Sequence, residues 1–223
     1  MPTPKRAIVR VLLRDHGRTY ARQAGIRVER DSPAALFQLL SLALLLSAPI
    51  HANDATRAAK ALIEAGLTTP KKMAEATWQA RVEVLTTHGY KRYDERTSTM
   101  LGHTAQRVLV QYDGDLRKLR EAAEHDPARE HELLQDFSGI GPVGADIFLR
   151  EVQLVWDEVY PFADARVLEA ARELGLGGDP RSLSRLVDRA DFARLTSALI
   201  RVDLAHAYEQ VRDAAIGAAR SAI

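Results

Sequence analysis

The chain contains no cysteine, which excludes disulfides, thiolate zinc sites and cysteine-ligated iron–sulfur clusters. Aromatic residues make up only 6% of its 223 residues. Period-two alternation is almost absent: the nearest approach, residues 154–162, is too isolated to pair as a strand. Excess charge of one sign is missing too. With 31 Lys and Arg against 30 Asp and Glu, the formal net charge is +1, so any binding of a polyanion has to come from a local patch. The longest apolar run, residues 36–48, is too short to span a bilayer and carries Gln38 and Ser41, so a buried helix is expected there. The start, MPTPKRAIVRVLL, has neither the apolar core nor the cleavage site of a signal peptide. The histidines show no H-x-H or H-x-x-x-H spacing, so no transition-metal site is expected. These absences point to a protein of the reducing cytoplasm with no membrane attachment.

What is present is helical. Hydrophobic residues form 46% of the chain, enough for one compact unit or two small lobes with their own cores, and Ala, Leu and Arg dominate. Residues 4–22 read as one basic amphipathic stretch with Ile8, Val11, Leu12 and Tyr20 toward one face. Ser32 and Pro33 open a helix that Pro49 closes; Asn53 or Asp54 caps the next, which stops at Gly66. Thr69 and Pro70 start a short helix, another ends at Gly89, and residues 94–112 form a long one ending near Gly114. Short helices flank Pro127, and further helical patterns occupy residues 163–176, 180–191 and the segment from Phe192 onward. The fold class is all-α.

One stretch, LLQDFSGIGPVGADIFLRE at residues 133–151, breaks a helix and starts another within a few residues. Glycines at 139 and 141 allow positive φ and close backbone approach. A helix beginning after Gly141 leaves its first amides unpaired at the positive end of its dipole, with Pro142 suited to its first turn, and such a terminus suits a phosphate. Leu133, Leu134 and Phe137 are expected to pack against Ile140, Ile147 and Phe148. A lone G-x-G would mark only a helix corner. The longer pattern L-x-x-F-x-G-I-G-x-x-x-A-x-x-F resembles the helix-hairpin-helix motif of base-excision DNA glycosylases.

The resemblance extends along residues 33–175 and is strongest to the endonuclease III-like members. VYPFADARVLEAARELGL places Asp164 where that superfamily carries its catalytic aspartate. LLLSAPIHANDATRAAKAL is similar to the opening of the family's six-helix lobe, and THGYKRYDERTSTMLGHTAQRVLV to the segment that reaches into DNA at the lesion. The resemblance implies two lobes: a six-helix module over 33–150, and a second helical module assembled from 1–32 and 151–223. It implies contact with DNA through Gly139, Ile140, Gly141, Val143 and Gly144, with Tyr90, or Tyr93 as its alternative, as the wedge that fills the place of the flipped base, Lys91 and Arg92 beside it at the phosphates, and His51 and Tyr93 at the base pocket. Carbonyls around Gly139 and Gly141 could hold a monovalent cation, as in similar hairpins; no other cofactor is expected.

Departures from the family pattern carry information. Bifunctional members place a lysine two positions after the second glycine, where this chain has Val143, which has no amine to form a Schiff base. The glutamine that relatives place after Ser-Ala is replaced by Pro49, and the C-terminal four-cysteine cluster is missing. The expected activity is therefore monofunctional: an aspartate and water hydrolyse the N-glycosidic bond of a flipped base in lesion-bearing double-stranded DNA. A monomer in the cytoplasm, associated with the nucleoid, is expected. The alternatives are a non-catalytic helix-hairpin-helix protein that binds DNA or recognises lesions, and a helical scaffold unrelated to DNA. Asp164 has a second reading as a helix cap, Tyr90 and Tyr93 as tyrosines packed over a helix end, His51 as a surface turn residue, and Lys91, Arg92 and Arg96 as a solvated, salt-bridged face.

Overall fold

Proline and short polar caps set the helix starts. In the computed structural model, which describes residues 5–220, five helices begin with proline in the first turn: α3 (Pro33–Leu46), α5 (Pro70–Glu75), α9 (Pro127–Gln135), α10 (Pro142–Val152) and α12 (Pro180–Ser184). Ser32, Thr69, Asp126 and Asp179 cap four of these by accepting a backbone N–H from the first turn. The remaining helices are α1 (Lys5–Val11), α2 (Tyr20–Ala24), α4 (Ala52–Glu64), α6 (Trp78–Thr87), α7 (Asp94–Tyr112), α8 (Arg117–Ala122), α11 (Ala165–Glu173), α13 (Arg189–Leu204) and α14 (Tyr208–Arg220). Among the described residues there is no strand, and the all-α expectation holds. Residues 157–159 of the ambiguous segment form a 3-10 turn, and Trp156 goes into the core.

Two compact units result: Tyr20–Val159, and the chain up to Thr19 together with the chain from Tyr160 onward. The first unit is built around α3. Leu36, Phe37, Leu39, Leu40, Leu42, Ala43, Leu44 and Leu45 are all buried, so this helix is apolar on every side and packs against α4, α7 and α10. Each such leucine contributes roughly 1.5–3 kcal/mol through burial. Around it, α5 and α6 both pack on α7. The buried Arg81 ties the three together: its Nε donates to the Ser98 carbonyl (3.0 Å) and its Nη1 to those of Met73 (3.0 Å) and Ala76 (2.6 Å). Among the described residues no carboxylate pairs with it, and burial lowers the pKa of its guanidinium.

The unit boundaries differ from those expected at 32/33 and 150/151. Residues 20–32 belong with the first unit because they pack on α3 and α4 and their polar groups are satisfied at the end of α10: the Ala21 amide donates to both oxygens of Glu151 (3.1 and 3.0 Å), and Trp156 Nε1 donates to Asp31 Oδ1 (3.3 Å). Among the described residues, the amphipathic stretch expected at 4–22 divides into α1, a π-helical turn and α2. Helix α1 passes into a π-helical turn at Leu12–His16 and ends at Gly17, where a Cβ would lie 2.4 Å from the Leu13 carbonyl oxygen. Two arginines of α13 cap this end: Arg194 donates to the carbonyls of Gly17 (3.0 Å) and Leu13 (3.2 Å), and Arg201 to that of Arg18 (3.0 Å). In this second unit α13 also packs on α11, and α1 packs on α14.

A smaller correction concerns α4, which starts at Ala52 with His51 at its N-cap in place of Asn53 or Asp54. Asp54 lies inside the first turn and its carboxylate pairs with Arg57 one turn on.

Candidate functional site

The two-glycine corner is formed by α9 and α10 of the first unit. Leu134, Phe137, Ile140, Ile147 and Phe148 are buried and Leu133 is half-buried, so the expected apolar seam is present. Between the helices the chain turns through Gly139 at φ +84°, and the Ile140 amide donates back to the Phe137 carbonyl (3.0 Å). Helix α7 supports the turn from below. Thr104 Oγ1 donates to the Ser138 carbonyl (3.2 Å), and Arg107 donates to the Asp136 carbonyl (2.8 Å) and carboxylate (3.0 Å) with its guanidinium 5.8 Å from the Phe137 ring. Across the helices, His131 Nε2 lies 3.1 Å from Asp146 Oδ1.

What the corner presents is specific. Among the described residues, α10 is the one proline-initiated helix that lacks a side-chain cap, because glycine stands at its N-cap. Gly141, Pro142 and Val143 are exposed, Val143 to 64%, and a Cβ on Gly141 would meet nothing within 4 Å. The amides of the first turn, other than proline's, thus have no capping side chain, at the positive end of the helix dipole. Two of the residues expected to contact DNA here point the other way. Gly144 is buried with its would-be Cβ 2.7 Å from Ser47 Oγ, so glycine is required there for packing of α10 on the end of α3. Ile140 is buried too and closes over Gly144, leaving its backbone as the part on offer. The carbonyls of Phe137, Ser138 and Gly141 each accept one hydrogen bond, whereas those of Gly139 and Ile140 accept none within the described chain and are the oxygens a monovalent cation could use.

The segment after α6 divides sharply. Tyr90 is 1% exposed, its hydroxyl donates to the Leu45 carbonyl (3.2 Å) and burial raises its pKa, so it is a core residue and not a wedge. The reason is local. Gly89, at φ +91°, ends α6 with two backbone hydrogen bonds, Gly89 N–H to the Thr86 carbonyl and Tyr90 N–H to the Leu85 carbonyl; the residue after such a glycine is turned inward for an apolar contact. The signal for this stands in the sequence, as THGY. Lys91 and Arg92 are exposed, Tyr93 is half-buried, and the Arg92 guanidinium lies 5.5 Å from the Tyr93 ring. Among the described residues no carboxylate pairs with Lys91, Arg92 or Arg96, while Arg57, Lys60 and Lys71 are all paired within their helices. His51 is exposed at the start of α4 and caps nothing with its side chain.

Asp164 lies in the second unit, at the N-cap of α11. Its Oδ1 accepts both the Arg166 (3.0 Å) and Val167 (3.1 Å) amides, and the residue is 8% exposed. The start of α11 is pinned to α13: Arg166 Nε donates to Asp203 Oδ2 (2.6 Å), and Tyr208 donates to Asp203 Oδ1 (2.7 Å). Sequence reasoning misses this Arg166–Asp203–Tyr208 chain, and no local pattern announces it.

No family model matches the chain, and no curated protein matches it. Among solved structures, the chain is similar to that of a trapped endonuclease III–DNA covalent intermediate, an estranged-adenine complex, with 15% sequence identity over 73% of this chain and 71% of that one, and a TM-score of 0.47.

Proposed function

We propose that this protein is a monofunctional DNA glycosylase acting on a damaged or mismatched base flipped out of double-stranded DNA. The observation that carries the reading is the glycine-capped, solvent-facing N-terminus of α10, built on a two-glycine turn that α7 holds in place. Uncapped amides beside a helix dipole bind a backbone phosphate, and the exposed Gly141 lets that backbone approach. The unpaired cations Lys91, Arg92 and Arg96 add a local basic patch, and Tyr93 beside them offers a ring for stacking on a base. Carbonyls of Gly139 and Ile140 would hold a monovalent cation, which would add positive charge facing the same phosphate.

Asp164 supplies the chemistry. Its carboxylate stabilises the positive charge that develops on the deoxyribose as the N-glycosidic bond breaks, and accepts a proton from the water that attacks C1′. The departing base keeps the bonding electron pair and takes up the proton released by that water, leaving an abasic site. Val143 stands where a Schiff-base lysine would be needed, so the abasic strand stays intact. The expected substrate class is alkylated purines or uracil-type lesions in duplex DNA, bound by a monomer in the nucleoid-containing cytoplasm.

A second reading has its own observation. Asp164 is nearly buried and its Oδ1 caps α11, as a purely structural aspartate would be. On that reading the hairpin binds DNA without catalysis. End-labelled duplexes, each with a different lesion, separate the two: glycosylase activity gives strand breaks only after hot alkali and no adduct trapped by borohydride. Duplex binding with no alkali-labile product on any lesion selects the non-catalytic reading.

A further inference from the structure

Glu130 is 0% exposed, on α9, the helix that leads into the glycine turn. Neither of its carboxylate oxygens has a hydrogen-bond donor. A buried charge without donors is among the least tolerated groups in a protein interior. The neighbours that could relieve it are otherwise engaged. Arg120 on α8 donates through Nε and Nη2 to both oxygens of Glu158, in the 3-10 turn at Asp157–Val159, and its guanidinium lies 5.8 Å from the Trp156 ring. His125 Nδ1 lies 3.2 Å from the same Glu158. Asp126, at the N-cap of α9, adds negative charge and gives its side chain to the Ala128 amide. From α10, Asp146, Arg150 and Glu151 provide no hydrogen bond to Glu130 either.

A proton on Glu130 itself would satisfy it, because the neighbouring carboxyl is Glu158. Two carboxylates facing each other repel, but a carboxylic acid can donate to a carboxylate. The two glutamates are unequal in the required sense. Against the cost of its burial, the hydrogen bonds from Arg120 hold Glu158 down at about 2. Burial first, and Glu158 second, push Glu130 up to about 8.

We propose that Glu130 is a neutral carboxylic acid that donates its proton in a hydrogen bond to Glu158, and that losing this proton loosens α9 and the glycine turn it leads into. The turn then carries a built-in pH latch that closes as Glu130 is protonated. The latch concerns the turn itself and does not depend on what the turn binds.

The sign follows from linkage. An acid whose folded pKa is raised stabilises the fold fully below its unfolded value of 4.5, and that contribution is lost as pH rises through about 8. Across this window the unfolding equilibrium constant gains up to about tenfold per pH unit from this one proton.

The test uses the full chain with 13C-labelled glutamate side chains. One carboxyl resonance is expected to titrate near pH 8, and it should be missing from Glu130→Gln. In parallel, amide hydrogen exchange at residues 137–145, corrected for the intrinsic rate, should accelerate by up to about tenfold per pH unit as pH rises from 4.5 toward the Glu130 midpoint and level off above it in the wild type, and stay flat in E130Q. If every glutamate titrates in the ordinary carboxylate range, the proposal is overturned; if the turn amides keep the same protection through the Glu130 titration, the latch is overturned. Should E130Q fail to fold, the wild-type titration and exchange profile decide alone.

Discussion

The Met100 sulfur lies 2.6 Å from the point where a Cβ on Gly139 would sit, so the apex of the glycine turn rests directly on α7. Gly139 is also at φ +84°, a conformation that L side chains adopt at a cost of about 1–2 kcal/mol. A methionine side chain can shift, so the backbone term dominates. Gly139→Ala is expected to lose about 1–2 kcal/mol in denaturant unfolding and to weaken duplex binding. Gly141→Ala, with φ −100° and open space around its would-be Cβ, should unfold like wild type while still weakening duplex binding. Equal binding by G141A and wild type would sink the phosphate-clamp reading of this corner.

Gly144 is a glycine for a different reason, its closeness to Ser47. Gly144→Val overfills that space and should cost about 1–3 kcal/mol. Thermal melts on G144V and G141A therefore sort the two glycines, one into packing and one into surface.

Asp164 can be dissected because asparagine keeps a capping oxygen that alanine lacks. Asp164→Asn should retain stability, whereas Asp164→Ala should lose about 1 kcal/mol. Both should abolish alkali-labile product. An Asn variant with wild-type activity would refute a catalytic carboxylate here.

Tyr90 and its neighbours should separate cleanly. Tyr90→Phe removes one of two hydrogen bonds to the buried Leu45 carbonyl, which keeps the Ala48 amide, with an expected stability loss of about 0.5–1.5 kcal/mol and unchanged duplex affinity. Lys91→Ala with Arg92→Ala should leave the melt unchanged. The slope of log affinity against log salt should become shallower by about 1 for each phosphate these side chains neutralise. An unaltered salt slope would show that these cations face no DNA.

Helix identity and the two-glycine corner between α9 and α10 were legible in the sequence because their causes are local. Pro33, Pro70, Pro127, Pro142 and Pro180 fix first-turn geometry. Ser32 and Thr69 satisfy amides three residues away, and the leucines of α3 must be buried wherever the chain runs. The inward turn of Tyr90 is equally local, set by the Gly89 that precedes it, even though an aromatic beside Lys91 and Arg92 also suits a wedge at the surface. Tertiary structure alone decided the rest. Whether residues 20–32 join one unit or the other depends on Glu151, 130 positions away, receiving the Ala21 amide. Whether α1 continues past Gly17 depends on arginines of α13, and the proton proposed on Glu130 depends first on its burial and then on Glu158, to which Arg120 is committed. Each outcome turns on which donor reaches which buried acceptor. That pairing is fixed by packing between distant segments, so no window of sequence contains it.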